Sequence, residues 1–189
     1  MTSTSTSGPT WFIALPVVAG AWFESVPAPP DRTGLFHADD LHLTVAFLDR
    51  CGEERALAAW EAFRWPAGVV TVTLGEVVPL GNPRRPSALS ALLASGREEI
   101  ERAMAVSREE PISVAGAPRE ERPPKAHVTL ARISKNAGPS ERRLSLAWAQ
   151  SLALGAPRVL LDRVALYTSR PGAEGRRYGR VRELTLPAR

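Results

Sequence analysis

Two short segments share a residue pattern that could carry acid–base chemistry. The segment HLTVAFL begins at His42 and HVTLARI begins at His127, and the two align without a gap, 85 residues apart. Each places a threonine, Thr44 or Thr129, two residues after its histidine. Two imidazoles on opposite sides of a phosphorus atom can act as base and acid, because their ordinary pKa is about 6.5. Two hydroxyls can donate to the phosphoryl oxygens. The pattern indicates phosphoryl chemistry that requires no metal.

The repetition of the motif is what gives it weight. A lone histidine on a strand is more often a hydrogen-bonded structural residue, but two of the three histidines of this chain occupy equivalent places. The third, His37, lies beside Asp39 and Asp40, and we expect a solvated loop residue there. The single cysteine, Cys51, excludes an internal disulfide and a multi-cysteine metal site. We therefore predict no metal and no cofactor.

Both motifs fall on predicted strands. Residues 41–48 alternate with Leu41, Leu43, Val45 and Phe47 on one face and His42, Thr44, Ala46 and Leu48 on the other, and residues 126–133 alternate in the same way. Alternation brings each histidine and its threonine to one face. Phe47 and Arg132 follow five residues after each histidine, so an ideal strand places them on the opposite face. Contact with the histidine face would require a twist or a bulge.

The remaining elements predict an α+β fold. Further strands are expected at residues 11–15, 69–78, 159–168 and 178–186, and helices at 53–64, 98–107 and 141–154. Residues 88–94 fit either state, and 111–124 read as a loop around a short strand at 112–115. A motif repeated at half-chain spacing favours two similar lobes over a solenoid, which needs more repeats. We expect a flexible tail at residues 1–10 and a single bilobed domain at 11–189.

Composition places the chain among ordinary globular proteins. Hydrophobic residues make up 44% and charged residues 23%, and no apolar run approaches the length of a membrane span. The first residues lack a basic start and an apolar core, so we predict a cytoplasmic protein without membrane association. The formal charge is +4, and all but two of the 24 basic residues are arginine. Arginine suits a phosphate-bearing partner, although codon bias in a GC-rich genome produces the same preference.

The paired motifs resemble the signature of the two-histidine phosphoesterase superfamily. The likeness is to its bacterial and archaeal 2′-5′ RNA ligase-like branch, the RNA 2′,3′-cyclic phosphodiesterases. The segments WFIALP, GNPRRP, RPPKAHVTLAR, LYTSR and RRYGRV also follow the order and spacing of that family, so the resemblance covers nearly the whole chain after the tail. Ala126 stands where the family often has proline, and Asp49 where the first motif usually ends in glycine. These departures concern substrate fit and loop geometry rather than proton transfer.

The resemblance implies a fold and an activity. The fold would be two pseudo-symmetric βα lobes with mostly antiparallel sheets facing a central cleft. The activity would be metal-independent hydrolysis of a 2′,3′-cyclic phosphate to a 2′-phosphate, with 2′-5′ ligation as the possible reverse reaction. His42 and His127 would be catalytic, and we assign His42 as the acid and His127 as the base, although the symmetry of the motifs makes these roles interchangeable.

The resemblance also implies the substrate contacts and the partners. Thr44, Thr129 and Arg132 would contact phosphate, and Phe47 would stack near a base. The partners would be RNA 3′ ends or small cyclic nucleotides, bound by a monomer. Residue-based alternatives place Phe47 in the core and leave Arg132 as a solvated charge. The competing function is a nucleotide- or RNA-binding module of the same fold that has lost turnover, but the presence of all four His and Thr residues favours the enzyme.

Overall fold

The computed structural model describes residues 8–169 and 175–188. Residues 1–7 of the predicted tail lie outside this part, so the structure leaves that prediction open. The strands are β1 (Trp11–Pro16), β2 (Thr33–Leu35), β3 (His42–Asp49), β4 (Val70–Leu80), β5 (Ala88–Ser95), β6 (His127–Ile133), β7 (Arg158–Leu161), β8 (Arg163–Thr168) and β9 (Gly179–Thr185). The helices are α1 (Gly20–Glu24), α2 (Glu53–Ala62), α3 (Arg97–Ser107), α4 (Glu109–Ala115) and α5 (Pro139–Ser151), with a short 3₁₀ helix at Ala38–Asp40.

The strands form two antiparallel sheets, and each sheet carries one of the histidine motifs. A four-stranded sheet has the order β3-β1-β8-β9, and a five-stranded sheet has the order β2-β6-β5-β4-β7. Every strand pairing within the described residues is antiparallel. Strand β3 of the first sheet contacts β6 of the second. The predicted α+β class with two facing lobes is confirmed.

The apolar faces of the two sheets share one core. Ile13 and Leu15 of β1, Leu74 of β4 and Leu130 of β6 are fully buried in the same cluster of side chains. Helices α3 and α4 pack on β3, and α5 packs on β4. Burial of apolar area is the dominant stabilising contribution to such a core. Strand β3 is therefore held from behind by packed helices, whereas β6 is held between β2 and β5 within its sheet.

Residues 111–124 differ from the prediction. The short strand expected at 112–115 is part of helix α4, in which Pro111, Ile112 and Ala115 are buried. Proline is tolerated in the first turn of a helix because the first N–H groups have no intrahelical partner. Glu109 and Glu110 also lie in that first turn, where carboxylates favour the positive end of the helix dipole. Pro111, which favours a loop by composition, here lies in the first turn of a helix.

The segment predicted as one strand at 159–168 is two strands. Strand β7 pairs with β4 of the five-stranded sheet, and β8 pairs with β1 of the four-stranded sheet. The chain changes sheets at Asp162, whose carbonyl accepts a hydrogen bond from the Leu186 N–H at 2.8 Å. No glycine or proline separates the two strands, so the sequence pattern does not reveal the change. Residues 88–94, which fitted either state, form strand β5.

The helices within the described ranges are short or amphipathic. None of them is long and apolar enough to cross a bilayer.

Candidate phosphoesterase site

A β-bulge occurs at the equivalent place in both motif strands. Along β3 the partner of Ile13 is Ala46 but the partner of Ala14 is Thr44, so Val45 is the extra residue. Along β6 the partner of Leu89 is Ala131 but the partner of Ser90 is Thr129, so Leu130 is the extra residue. A bulge exchanges the faces of the residues that follow it.

The bulges correct the assignment of faces made from ideal alternation. Ala46 and Leu48 are buried, whereas the Phe47 side chain is 51% exposed. Ala131 is likewise buried and Arg132 is exposed. Phe47 is therefore not a core residue, and both residues share the open face with the histidines and threonines. The bulge that contact required is present in each strand.

The two histidines are held by the same hydrogen bond. His42 Nδ1 lies 2.6 Å from the Asp40 carbonyl oxygen, and His127 Nδ1 lies 2.7 Å from the Lys125 carbonyl oxygen. A carbonyl oxygen can only accept, so each Nδ1 carries the hydrogen. In the neutral ring Nε2 then holds the free lone pair. Both rings are thus fixed in one tautomer, with Nε2 as the nitrogen available for proton transfer.

His42 lies among aromatic rings that the sequence analysis did not identify. Its ring centroid is 4.8 Å from that of Phe12, 5.5 Å from Tyr167 and 5.3 Å from Tyr178. Burial is the largest cause that lowers the pKa of His42 to about 4, against the hydrogen bond to the Asp40 carbonyl, which raises it. The positive charges of His127, Arg132 and Arg180 lower it further. His42 is accordingly neutral at physiological pH.

His127 has a more open and more polar environment. It lines a cleft of about 570 Å³ together with Thr129, Thr44, Phe47 and Arg132. Burial is again the largest cause that lowers its pKa below the usual 6.5, opposed by the hydrogen bond to the Lys125 carbonyl. The charges of Lys125 and Arg132 lower it further.

Five of the six predicted site residues therefore line one cleft. His42 is not among the lining residues, but it is close enough to the cleft for the charges of His127 and Arg132 to act on its pKa. The cleft wall also contains residues that the sequence analysis missed: Arg108, Glu120, Arg122 and Lys125. Arg108 holds this wall in place, since its guanidinium donates to the carbonyls of Glu120 and Arg122 at 3.2 and 2.7 Å.

Thr129 is oriented by a buried hydroxyl. Its Oγ1 lies 3.0 Å from Oγ of Ser90, which is fully buried on the neighbouring strand β5. A hydroxyl has one donor and two acceptor positions, so Thr129 can accept from Ser90 and donate into the cleft. This arrangement suits a donor to a phosphoryl oxygen.

Asp40 is a further residue whose contribution to the site the sequence analysis missed. Its carboxylate is 1% exposed and accepts the backbone N–H groups of Arg177 at 2.7 Å and Tyr178 at 3.3 Å. Its carbonyl holds His42. Asp40 thus connects His42 to the segment that contains Tyr178. The position of Asp40 could have indicated this role, because Asp40 stands two residues before His42 just as Lys125 stands two residues before His127.

His37 takes a structural place outside the cleft. Its Nδ1 accepts the backbone N–H of Asp39 at 3.2 Å and caps the 3₁₀ helix that leads into β3. Within residues 8–169 and 175–188, no three His, Cys, Asp or Glu side chains are grouped as metal ligands.

This chain matches known proteins in structure but not in sequence. No protein-family model matches the chain, and no curated protein matches its sequence. Solved structures do match over nearly the full length. Escherichia coli LigT in complex with NADP⁺ is 22% identical, with a TM-score of 0.66 over 96% of this chain and 100% of that one. A protein described only as a phosphoesterase is 21% identical, with a TM-score of 0.69 and the same coverage.

A eukaryotic structure extends the comparison. Usb1 of Kluyveromyces marxianus is 14% identical, with a TM-score of 0.52 over 95% of this chain and 98% of that one. The chain therefore has the fold of the two-histidine phosphoesterases, as its paired motifs implied. The E. coli LigT structure without ligand also matches 96% of this chain, with a TM-score of 0.65.

Proposed function

We propose that this chain is a two-histidine phosphoesterase that hydrolyses 2′,3′-cyclic phosphates of RNA ends or nucleotides and leaves a 2′-phosphate. The observation that supports this most is the matched pair of histidines. Each is fixed through Nδ1 to the carbonyl two residues before it, on strands that meet across the two sheets. Two imidazoles with free Nε2 atoms, two hydroxyls and an arginine form a set that suits attack at phosphorus.

The proposed reaction is an in-line displacement. One imidazole removes a proton from water as the water oxygen bonds to phosphorus. The bond from phosphorus to the ribose 3′ oxygen breaks, and the other imidazole gives that oxygen a proton. The products are a 2′-phosphate monoester and a free 3′ hydroxyl, and the imidazoles exchange a proton with water to return to their starting state. Arg132, Thr44 and Thr129 would stabilise the charge that accumulates on the phosphoryl oxygens.

The surroundings of the two rings favour the reverse of the acid and base roles that the sequence analysis assigned. His42 is enclosed by aromatic rings, and burial lowers its pKa to about 4, so it is the ring that is neutral and able to accept a proton. His127 lines the open, polar cleft. We therefore propose His42 as the base and His127 as the acid.

The structural neighbours support a nucleotide as the substrate. LigT of E. coli has been crystallised with 3′-AMP, with ATP and with phosphate, in addition to NADP⁺. Phe47, half exposed in the cleft that Thr44 also lines, offers an aromatic surface on which a base could stack. RNA ends and small cyclic nucleotides both fit this description.

The first test is hydrolysis of an oligonucleotide that ends in a 2′,3′-cyclic phosphate, in excess EDTA. We expect turnover to persist, because the proposed proton transfers use imidazoles and the charge stabilisation uses arginine and hydroxyls. Phosphorus NMR should identify a 2′-phosphate product. A 2′,3′-cyclic mononucleotide assayed in parallel will show whether the chain beyond the terminal nucleotide matters.

Two results would contradict this proposal. Activity that disappears with EDTA and returns with one divalent cation would exclude the metal-free mechanism. A 3′-phosphate product would mean that the 2′ oxygen leaves, so the substrate would lie in the opposite orientation.

The pH dependence of kcat/KM tests the assigned roles. The base His42 must be neutral, which holds above about pH 4, and the acid His127 must be protonated, which requires a pH below its own lowered pKa. We therefore expect kcat/KM to be highest on the acidic side of neutrality and to fall as the pH rises through the His127 pKa. Because the two histidines interact, the two limbs of the pH profile report pKa values of the pair rather than of each ring separately. The bound phosphate anion raises both pKa values, so the kcat profile should lie at higher pH.

Rates measured between pH 3.5 and 9 with the cyclic mononucleotide would decide the matter. A kcat/KM that continues to increase up to pH 8 would contradict the proposal, since it would require a proton donor with a much higher pKa than His127 has.

A further inference from the structure

The peptide bond between Lys125 and Ala126 connects His127 to a carboxylate. Its carbonyl oxygen accepts the hydrogen bond from His127 Nδ1 at 2.7 Å. Its N–H donates to Oε1 of Glu101, on helix α3, at 3.0 Å. The Glu101 side chain is only 20% exposed, and Arg97 one turn earlier lies 3.2 Å from the same oxygen. One peptide group thus bonds the His127 ring through its carbonyl and a partly buried carboxylate through its N–H.

The first lobe has no such carboxylate. The Asp40–Leu41 peptide accepts from His42 Nδ1 at 2.6 Å, but its N–H donates to the Ala38 carbonyl at the long distance of 3.4 Å. That contact closes a turn of the 3₁₀ helix and carries no formal charge. Both histidines donate the same hydrogen bond from Nδ1 to a carbonyl. They differ in the group that accepts the N–H of that peptide, which is a carboxylate for His127 and a carbonyl for His42.

A carboxylate bound to a peptide N–H changes the opposite end of that peptide. Charge-assisted hydrogen bonds are short and strong, and hydrogen bonds in a chain polarise one another. Negative charge on Glu101 draws the peptide hydrogen and increases the electron density on the Lys125 carbonyl oxygen. That oxygen then binds a protonated imidazole better than a neutral one. A carboxylate that contacts a histidine directly has the same two effects, orientation of the ring and stabilisation of the imidazolium.

We propose that Glu101 is a positioning residue for His127, acting through the Lys125–Ala126 peptide to fix the ring and to favour its protonated form. This inference rests on the proposed function, in which the proton on His127 is the one given to the leaving oxygen. It supports the acid role for His127, because His127 is the histidine that is linked to a carboxylate through a peptide group. Glu101 touches no substrate in this arrangement. Its effect reaches the reaction only through His127.

Other charges also act on His127 and oppose this effect. Lys125 and Arg132 lower its pKa, and Arg97 shares the Glu101 carboxylate. The remaining charged or titratable groups around it are His42 on β3 and the cleft residues Arg108, Glu120 and Arg122. The surrounding groups are mostly cationic, so a protonated His127 needs the compensation that Glu101 supplies.

The test uses NMR titration of the histidine rings in the protein without substrate. The chain has three histidines, so each ring signal can be assigned with single His→Gln variants. Glu101→Gln keeps an acceptor oxygen for the Ala126 N–H and removes the charge. Ala126→Pro removes the N–H donor and leaves Glu101 in place. Glu98→Gln is the matched control, because it removes the same charge from an exposed position of the same helix.

We expect the pKa of His127 to fall by about half a unit in Glu101→Gln and in Ala126→Pro, with His37 and His42 unchanged. Glu98→Gln should leave all three values as they are. In the hydrolysis assay, Glu101→Gln should lower kcat by roughly 3- to 10-fold with little change in KM, and the alkaline limb of kcat/KM should move to lower pH.

An unchanged His127 pKa in both variants would overturn the inference. An equal shift in Glu98→Gln would also overturn it, because it would indicate a long-range effect of helix charge rather than a relay, by which we mean an effect transmitted through the Lys125–Ala126 peptide. The ring titration is independent of turnover. If His127 shifts as expected and the wild-type protein hydrolyses no cyclic phosphate, the relay stands and the proposed function fails.

Discussion

Replacing either proposed catalytic histidine is expected to lower kcat by roughly 10²–10⁴-fold. His42→Ala removes the neutral ring that takes the water proton, and His127→Ala removes the ring that protonates the leaving oxygen. The neighbouring Leu43 and Val128 are buried and keep their contacts in both variants, although His42→Ala also removes the ring contacts with Phe12, Tyr167 and Tyr178. Steady-state rates with a cyclic mononucleotide at saturating concentration measure the effect.

The double variant and a control sharpen this prediction. If the two rings act in one displacement, His42→Ala combined with His127→Ala should be much less damaging than the product of the single effects. His37→Asn is the control, because asparagine retains the cap on the 3₁₀ helix while removing the third imidazole. It should leave kcat nearly unchanged. A loss from His37→Asn as large as that from His42→Ala, together with a mild His127→Ala, would refute the symmetric site.

Arg132→Ala is expected to lower kcat/KM by roughly 10²–10³-fold. Arg132 is exposed on the cleft face of β6, and its positive charge acts on the pKa of both histidines. A guanidinium binds two phosphoryl oxygens in a planar fork, and this contact strengthens as charge develops in the transition state. The loss of the charge should also raise the pKa of both rings, so the kcat/KM profile should move to higher pH.

Two further variants make the Arg132 result interpretable. Arg132→Lys keeps the charge without the fork, and it should restore the pH profile but only part of the rate. Arg102→Ala removes an equal charge from an exposed position on α3 that does not line the cleft, and it should have no comparable effect. If Arg132→Ala retains wild-type kcat/KM, Arg132 is a solvated charge and phosphate is held elsewhere.

The amino-acid sequence predicted the fold where local patterns were strong. A continuous apolar run located β1, alternation located β3, β4 and β6, and the gap-free match of two motifs indicated the two lobes. It failed where a residue type supports two structures. Pro111 was read as a loop signal although it stands in the first turn of α4. The change of sheets at Asp162 is not marked by a glycine or a proline, so residues 159–168 read as one continuous strand.

The site was predictable to the extent that it lies within the motifs. The histidines and threonines could be identified from spacing alone, and Phe47 and Arg132 from the resemblance. The groups that distinguish the two histidines come from elsewhere in the chain. Tyr167 and Tyr178 reach His42 from β8 and the segment before β9, and Glu101 reaches the second motif from α3. Such long-range contacts depend on the tertiary fold, which no local pattern encodes.

The paired bulges have a consequence for how substrate preference could change. In each strand the histidine and threonine are followed by one extra residue, Val45 or Leu130, then by a buried alanine, and then by position 47 or 132. Because the extra residue resets the face, the side chain at position 47 or 132 can change in size or charge without altering the spacing of histidine and threonine. In β3, position 47 is thereby separated from the two residues proposed to act at phosphorus. A library varied only at position 47 would test different nucleotides while His42, Thr44 and Arg132 stay unchanged.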